Sequence, residues 1–569
     1  MILSSKISYN KPHFTFLRKP AWMNQSDRQE SQVRSIMDFY RRSLICVRDV
    51  NRFIMRYFYI DLILVVLLFA SCSVQKVSVK KNKGFLNPDD FQHYVDYFNR
   101  MEDENIVQAI PNDSAWSWMK KNIPLFECPQ DNFEEIYYFR WWSFRKHIED
   151  TPQGPTITEF LVPRSYADKY NMIACAMGHH IYEARWLHDQ KLLDNYIHLW
   201  YRGNDGEPMK KLYKFSSWTA DAIYNRFLVN KDSSFLLGIL PDMEKDYNVW
   251  EKDRRHPNGL FWQYDVRDGM EESISGGRKI ENHRPTINSY MYGNAMAISN
   301  MASIIKNKKL SILYKEKADT IRHLVENKLW NPNQQFFETF MFNDTLANVR
   351  EEIGFIPWYF NLPDSGYESA WKEAYDPKGF LAPFGLTTAE QRSPEFRTHG
   401  CCNCEWDGAV WPFATSQTLT AMANLLNNYH QTYVNDSVYF RLLELYVESQ
   451  YYRGRPYIGE YLDGQTGYWL KGDQERSRYY NHSTFCDLII SGLIGLRPRA
   501  DNIIEVNPLV PENKWEWFCL DNVLYHGKTL TIFWDRFGKK YNHGKGFHLL
   551  INGKEIASAD RLEKVEFKQ

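Results

Sequence analysis

The stretch YMYGNAMAISNMASIIKN, residues 290–307, decides the fold class. Its apolar residues Met291, Ala295, Ile298, Ala302 and Ile305 recur every three or four positions, the spacing that lines one face of a helix. Working outward, Ala318, Ile321, Leu324 and Val325 repeat the pattern over 314–329. Leu419, Met422, Leu425 and Leu426 do so again in VWPFATSQTLTAMANLL. Apolar/polar alternation is scarce between residues 110 and 510, so that body is read as mainly α, with function on the connecting loops. The tail changes period. KTLTIFW (528–534) and FHLLINGKEIA (547–557) favour strands, and Asn552-Gly553 is a tight-turn dipeptide, so 511–569 is expected to form a small antiparallel β module.

Composition narrows the partners. The 569 residues carry 69 Lys+Arg against 70 Asp+Glu, a net charge of −1 that offers no footprint for a polyanion, so nucleic acid is not expected. Aromatic residues reach 16%, enough both to fill a helical core and to offer ring faces to sugars. Nine cysteines, an odd number without framework spacing, argue against a disulfide-built fold.

The run MRYFYIDLILVVLLFASC, residues 55–72, has a basic start, a short apolar core and small residues before a cysteine. It is short for a membrane span and resembles a bacterial lipoprotein signal, with Cys72 as the lipidated residue. The expectation is a Gram-negative envelope lipoprotein, periplasmic or at the outer membrane, touching the membrane only through that anchor. Residues 1–54 then read as a mis-annotated upstream extension, and 73–109 as a tether.

Four loops carry candidate chemistry. In DVRDGMEESISGG (265–277), Asp265, Asp268, Glu271 and Glu272 crowd four carboxylates into a Gly-rich turn. The others are RTHGCCNCEWDGAVWPF (397–413), YIGEYLDGQTGYW (457–469) and the long segment 157–189. Glycoside cleavage needs a protonated carboxyl at the leaving oxygen and an ionised one opposite. An inverting enzyme spaces them about 6.5–9.5 Å apart to admit a water. Crowded like charge and apolar neighbours such as Trp262 and Met270 are what raise an acid's pKa.

WDGAVWPF (406–413), GMEES (269–273) and GEYLDGQTG (459–467) together resemble, in order, the motifs of the six-hairpin glycosidase clan. The trehalase, family 63 and mannosylglycerate hydrolase-like group is the nearest match. The resemblance covers about two thirds of the chain. It implies an (α/α)6 toroid over 110–510 and an inverting glycosidase releasing terminal sugars from oligo- or polysaccharides without a cofactor. It further implies Glu271 as general acid and Glu460 as general base. This chain has Glu where the clan usually has Asp, which keeps Asp268 open as the donor. Glu272, Trp406, Asp407 and Trp411 fall on substrate-binding positions, and Arg140, Trp142 and Glu159 are candidates for the mouth of the site. The pair His179-His180, set among small and apolar residues, reads as core.

Cys401, Cys402 and Cys404, near His399 and Glu405, raise a rival reading. Thiolates with an imidazole and a carboxylate suit zinc. Some β-L-arabinofuranosidases on the same barrel use a zinc-held cysteine nucleophile. A second rival is a glycan-binding lipoprotein without turnover.

Overall fold

The computed structural model describes residues 85–397 and 404–569. The lipoprotein run, Cys72, residues 73–84 of the expected tether, His399, Cys401 and Cys402 lie outside the described residues. Among the described residues no helix is long and apolar enough to cross a membrane.

Two concentric layers of helix make the body. Six inner segments follow one another around the ring: Met177–Ala184, Thr219–Asn230, Pro285–Ile304, Glu352–Phe355 running into Ile356–Tyr359, Pro412–Asn428, and the π-helical Leu488–Leu493. Glu183 closes the circle, its carboxylate accepting the backbone N–H groups of Phe485, Cys486 and Asp487 at 2.9–3.2 Å. Outside them lie Asp131–Arg145, Lys191–Arg202, Ser233–Arg254, Lys308–Lys328, Glu368–Tyr375 and Asp436–Ser449. This is the expected (α/α)6 toroid.

The two layers have different sequence rules because they have different neighbours. Pro285–Ile304 is covered on every side, and nearly all its residues are buried. Most of its buried polar groups are therefore bonded, and Asn288 Nδ2, for one, donates to Phe261 O at 2.8 Å. Lys308–Lys328 buries only Tyr314, Ala318, Ile321 and Val325, a single stripe at helical spacing. Proline opens both Pro285–Ile304 and Pro412–Asn428, where its missing N–H costs nothing. Asn307 caps the next helix by accepting from Leu310 N.

Close packing of the inner ring leaves no slack at Gly293, where a Cβ would stand 2.2 Å from Phe360 Cδ1. Alanine there gains helix propensity of about 1 kcal/mol but overpacks an interface with no room to relax. Gly293→Ala is expected to destabilise by about 1–3 kcal/mol, read as a lowered midpoint in chemical unfolding.

The β module is larger than the tail alone. Its five-stranded antiparallel sheet runs Leu125–Glu127, Trp517–Tyr525, Lys528–Asp535, Gly546–Ile551, Lys554–Ala559. The edge strand Leu125–Glu127 comes from the start of the expected barrel region. Ile503–Val506 likewise joins Leu496–Arg497 and Val565–Lys568 in a separate sheet. The boundary expected at 511 therefore moves upstream, because these β segments pair with strands rather than pack on helices. Asn552 and Gly553 turn the last hairpin with φ of 50° and 78°, as the dipeptide implied. The tether also shrinks. Residues 88–100 are helical, Phe91, Val95 and Phe98 are buried, and Leu86 N donates to Asp521 at 2.8 Å. An apolar stripe at 91, 95 and 98 was the signal that this segment packs.

Candidate active site

A cavity of about 310 Å3 opens at the end of the toroid where the inner helices begin. Its wall is assembled from the loops that enter those helices. Cys175 precedes Met177–Ala184, Phe215 precedes Thr219–Asn230, Glu271 precedes Pro285–Ile304, Trp411 caps Pro412–Asn428, and His482 precedes Leu488–Leu493. Placing chemistry on loops held by a rigid ring fixes it without disturbing the ring's own packing.

Three carboxylates face this space: Glu159, Glu271 and Glu460. Gly269, with φ of 74°, ends the short turn Asp265–Asp268 in the left-handed region and lets the chain reverse ahead of Glu271. The Glu271 carbonyl accepts Trp406 N at 3.3 Å, joining the first and second candidate loops. Glu460 is fixed by its backbone N–H, which donates to Ser477 Oγ at 3.0 Å. Asn481 N donates to Glu159 O at 3.0 Å, bringing the first-hairpin loop to the last one.

The electrostatics differentiate the three. Burial, reinforced by the Glu460 charge, pushes the Glu271 carboxyl up to about 7. Burial pushes Glu159 to about 8, with Glu460 and Glu271 adding to the rise and the Tyr480 hydroxyl and Cys175 thiol opposing it through hydrogen bonds. Glu460 is also raised by burial, but Arg476 Nη2 stands 3.0 Å from its Oε2, and Lys471 and Arg164 add positive charge. Among the described residues Glu271 and Glu159 form no ion pair. The guanidinium makes Glu460 the carboxylate whose charged form is supported, while Glu271 is arranged to hold a proton.

Trp406, Trp411 and Tyr461 form one stacked column, with ring centroids 4.6 Å apart at each step. Trp406 and Trp411 present its edge to the cavity, beside Phe413 and His482. Trp411 Nε1 donates to Glu405 O at 2.9 Å, so the indole is oriented from behind.

The remaining candidates lie elsewhere. Asp268 does not line the cavity. Its carboxylate is sealed against Arg284 Nε at 2.9 Å and accepts the Thr286 hydroxyl. Glu272 pairs with Arg278 at 3.0 Å, and Asp407 pairs with Arg397; both face a neighbouring, more open cavity. Arg140 is buried against Tyr446, Gln450 and Ser483, and Trp142 packs among Phe98, Phe139 and Tyr479, with Nε1 on Asn99. Both sit on the outer helix Asp131–Arg145, whose buried face points to its neighbours and not into the mouth. His180 bridges Tyr196 OH and Asn481 O, while His179 sits edge-on to Trp218 and Phe413 with neither ring nitrogen hydrogen-bonded among the described residues, so both are core but only His180 is satisfied.

Sequence reasoning passed over Arg476, Tyr480 and His482. Their segment, QERSRYYNHSTFCD (474–487), packs charged and aromatic residues just before an apolar run. That contrast was the available signal. Cys404, the described member of the cysteine cluster, also lines the cavity. Burial, with Glu271 and Glu460 close by, pushes its thiol far above the usual range.

Residues 169–483 match the family model of the mannosylglycerate hydrolase MGH1-like glycoside hydrolase domain, and residues 496–557 match that of the glycosyl hydrolase family 65 C-terminal domain. A solved structure named sialidase is 64% identical with a TM-score of 0.85, covering 86% of this chain and 46% of its own. The family 78 rhamnosidase of Bacillus sp. GL1 shares the fold at 11% identity and a TM-score of 0.53, covering 72% of this chain and 40% of its own. An uncharacterized protein of Borreliella burgdorferi is 24% identical over 143 residues, 25% of this chain and 29% of that protein. This chain thus spans less than half the length of each of these relatives. The chain belongs to the mannosylglycerate hydrolase MGH1-like glycoside hydrolase family.

Proposed function

We propose that the protein is a glycoside hydrolase that removes terminal sugars with inversion, using Glu271 as general acid and Glu460 as general base. The observation that carries this reading is the opposed bias of two carboxylates in one cavity. Glu271 is held protonated to near neutrality, and Glu460 is backed by Arg476. A sugar held against the edges of Trp406 and Trp411 would present its glycosidic oxygen to Glu271. Glu460 would take a proton from the attacking water, and Glu271 would give its own to the leaving oxygen, so that charge never leaves the site uncompensated. Glu159, kept neutral by its high pKa, is suited to donate a hydrogen bond to a hydroxyl of the bound ring. A volume of about 310 Å3 is at the small end of ligand pockets, which supports a terminal ring over an internal stretch of polymer.

The buried, neutral Cys404 thiol is a poor nucleophile, which favours two carboxylates over a cysteine mechanism. A glycan-binding role without turnover leaves the opposed biases of Glu271 and Glu460 unused.

The test is a turnover screen on aryl glycosides and short oligosaccharides, with product anomers followed by proton NMR. Sialosides belong in it because the 64% identical structure carries that name. Net retention would overturn the proposed roles. Activity should decline above about pH 7 as Glu271 loses its proton, and at low pH as Glu460 gains one. Arg476→Met removes the cation that favours ionised Glu460. Its expected effect is an acid limb moved to higher pH with the alkaline limb unchanged, read from kcat/KM profiles.

The run at 55–72 supports an envelope lipoprotein lipidated at Cys72. Mass spectrometry of the mature N-terminus tests this, and an intact residue 1 would overturn it.

A further inference from the structure

We propose that His543, His548 and Glu555, at the outer edge of the C-terminal sheet, form a binding site for one divalent transition-metal ion of the zinc type. Their donor atoms all lie within 4.8 Å of one another. His543 Nε2 is 3.2 Å and His548 Nδ1 2.8 Å from the same atom, Glu555 Oε2. Ligands about 2.0–2.1 Å from a tetrahedral zinc stand about 3.3 Å apart, so the spacing of each imidazole nitrogen from the Glu555 oxygen is within about half an ångström of that geometry. Two imidazoles and one carboxylate is a borderline-soft set that selects zinc, cobalt or nickel over magnesium or calcium, and three ligands leave a fourth position for water.

The sheet explains why these three meet. His548 lies on Gly546–Ile551 and Glu555 on Lys554–Ala559, joined by the Asn552-Gly553 turn. Glu555 is paired with Leu550, two residues from His548 and on the same face. The two-residue Asn552-Gly553 turn sets that pairing, Ile551 with Lys554 and then Leu550 with Glu555, so Glu555 stands on the face of His548. His543 reaches the cluster from the loop entering Gly546–Ile551. Phe533, across the sheet from His548, stacks on that imidazole at 4.6 Å and meets His543 edge-on at 5.5 Å. Phe85 stacks on Phe533 from behind at 4.7 Å. The rings are therefore set by packing before any ion arrives, which lowers the cost of binding. His548 is buried, while His543 and Glu555 are over a third exposed, giving the ion a way in. A bound ion would pin the loop 536–545 to the hairpin, and by binding only the folded state it would stabilise the module.

The full chain is stripped with chelator and titrated with zinc chloride by calorimetry, alongside His543→Ala, Glu555→Gln and a control, His430→Ala, at an exposed histidine just after Pro412–Asn428, each checked for its fold by circular dichroism. The wild type and His430→Ala are expected to bind one equivalent at micromolar free zinc and to melt at a higher temperature with it. His543→Ala and Glu555→Gln should each lose affinity by at least about tenfold and lose the shift in melting. Cobalt in place of zinc should give tetrahedral ligand-field bands without thiolate charge transfer, separating this site from the cysteine cluster. Wild-type affinity in both ligand variants, thiolate absorption with cobalt, or no binding at micromolar zinc would each overturn the proposal.

Discussion

Glu271→Gln and Glu460→Gln are each expected to lower turnover on natural glycosides by about 10²–10⁴-fold without unfolding the protein. Glutamine keeps the volume of each side chain and removes only its proton chemistry. The two variants should differ on activated substrates. A nitrophenolate departs without protonation, so the deficit of Glu271→Gln should shrink as the leaving group becomes more acidic. Glu460→Gln should stay impaired on every substrate, because attack by water needs its base regardless of the leaving group. The Glu271 variant should also lose the alkaline limb that its carboxyl, at about 7, imposes. Equal deficits across leaving groups for both variants would sink the assignment.

Asp268→Asn should behave in the opposite way. Asp268 and Arg284 are a fully buried pair, both side chains at 0% exposure, and Asp268 also takes the Thr286 hydroxyl. Neutralising one partner strands the Arg284 guanidinium in the interior, an effect of about 3–5 kcal/mol. The expected result is a large loss in denaturant midpoint with kcat of the folded fraction within a few-fold of wild type. The pair anchors the loop bearing Glu271 to the start of Pro285–Ile304, so Asp268 is a positioning residue. A drop in kcat matching that of Glu271→Gln, with stability unchanged, would instead return Asp268 to the role of proton donor.

The two carboxylates of DVRDGMEESISGG that competed for that role stand three positions apart in entirely different surroundings. Sequence could say that the loop was crowded with acid. It could not say which side chain faced the cavity, because that depends on Gly269 reversing the chain and on Arg284 claiming Asp268. Arg140 and Trp142 show the same limit from the other side. Both are residue types found in sugar sites, but a helix buried on most of its face directs them into packing. Glu159 was legible only as a candidate. Its place beside Glu271 and Glu460 comes from loops more than a hundred residues apart in sequence.

The helical body, the β tail and the Asn552-Gly553 hairpin were legible in the residues, and motif resemblance singled out Glu271 with Glu460 as the pair to test. The helices, tail and hairpin rest on periodicity and local turn chemistry, which a few neighbouring residues specify, and the carboxylate pair rests on the resemblance of short ordered motifs. The tertiary structure alone decided that Leu125–Glu127 edges the C-terminal sheet, that Arg476 backs Glu460, and that Asp268 is sealed against Arg284. Those outcomes depend on which distant segments exclude water from one another, and ring closure settles that all at once.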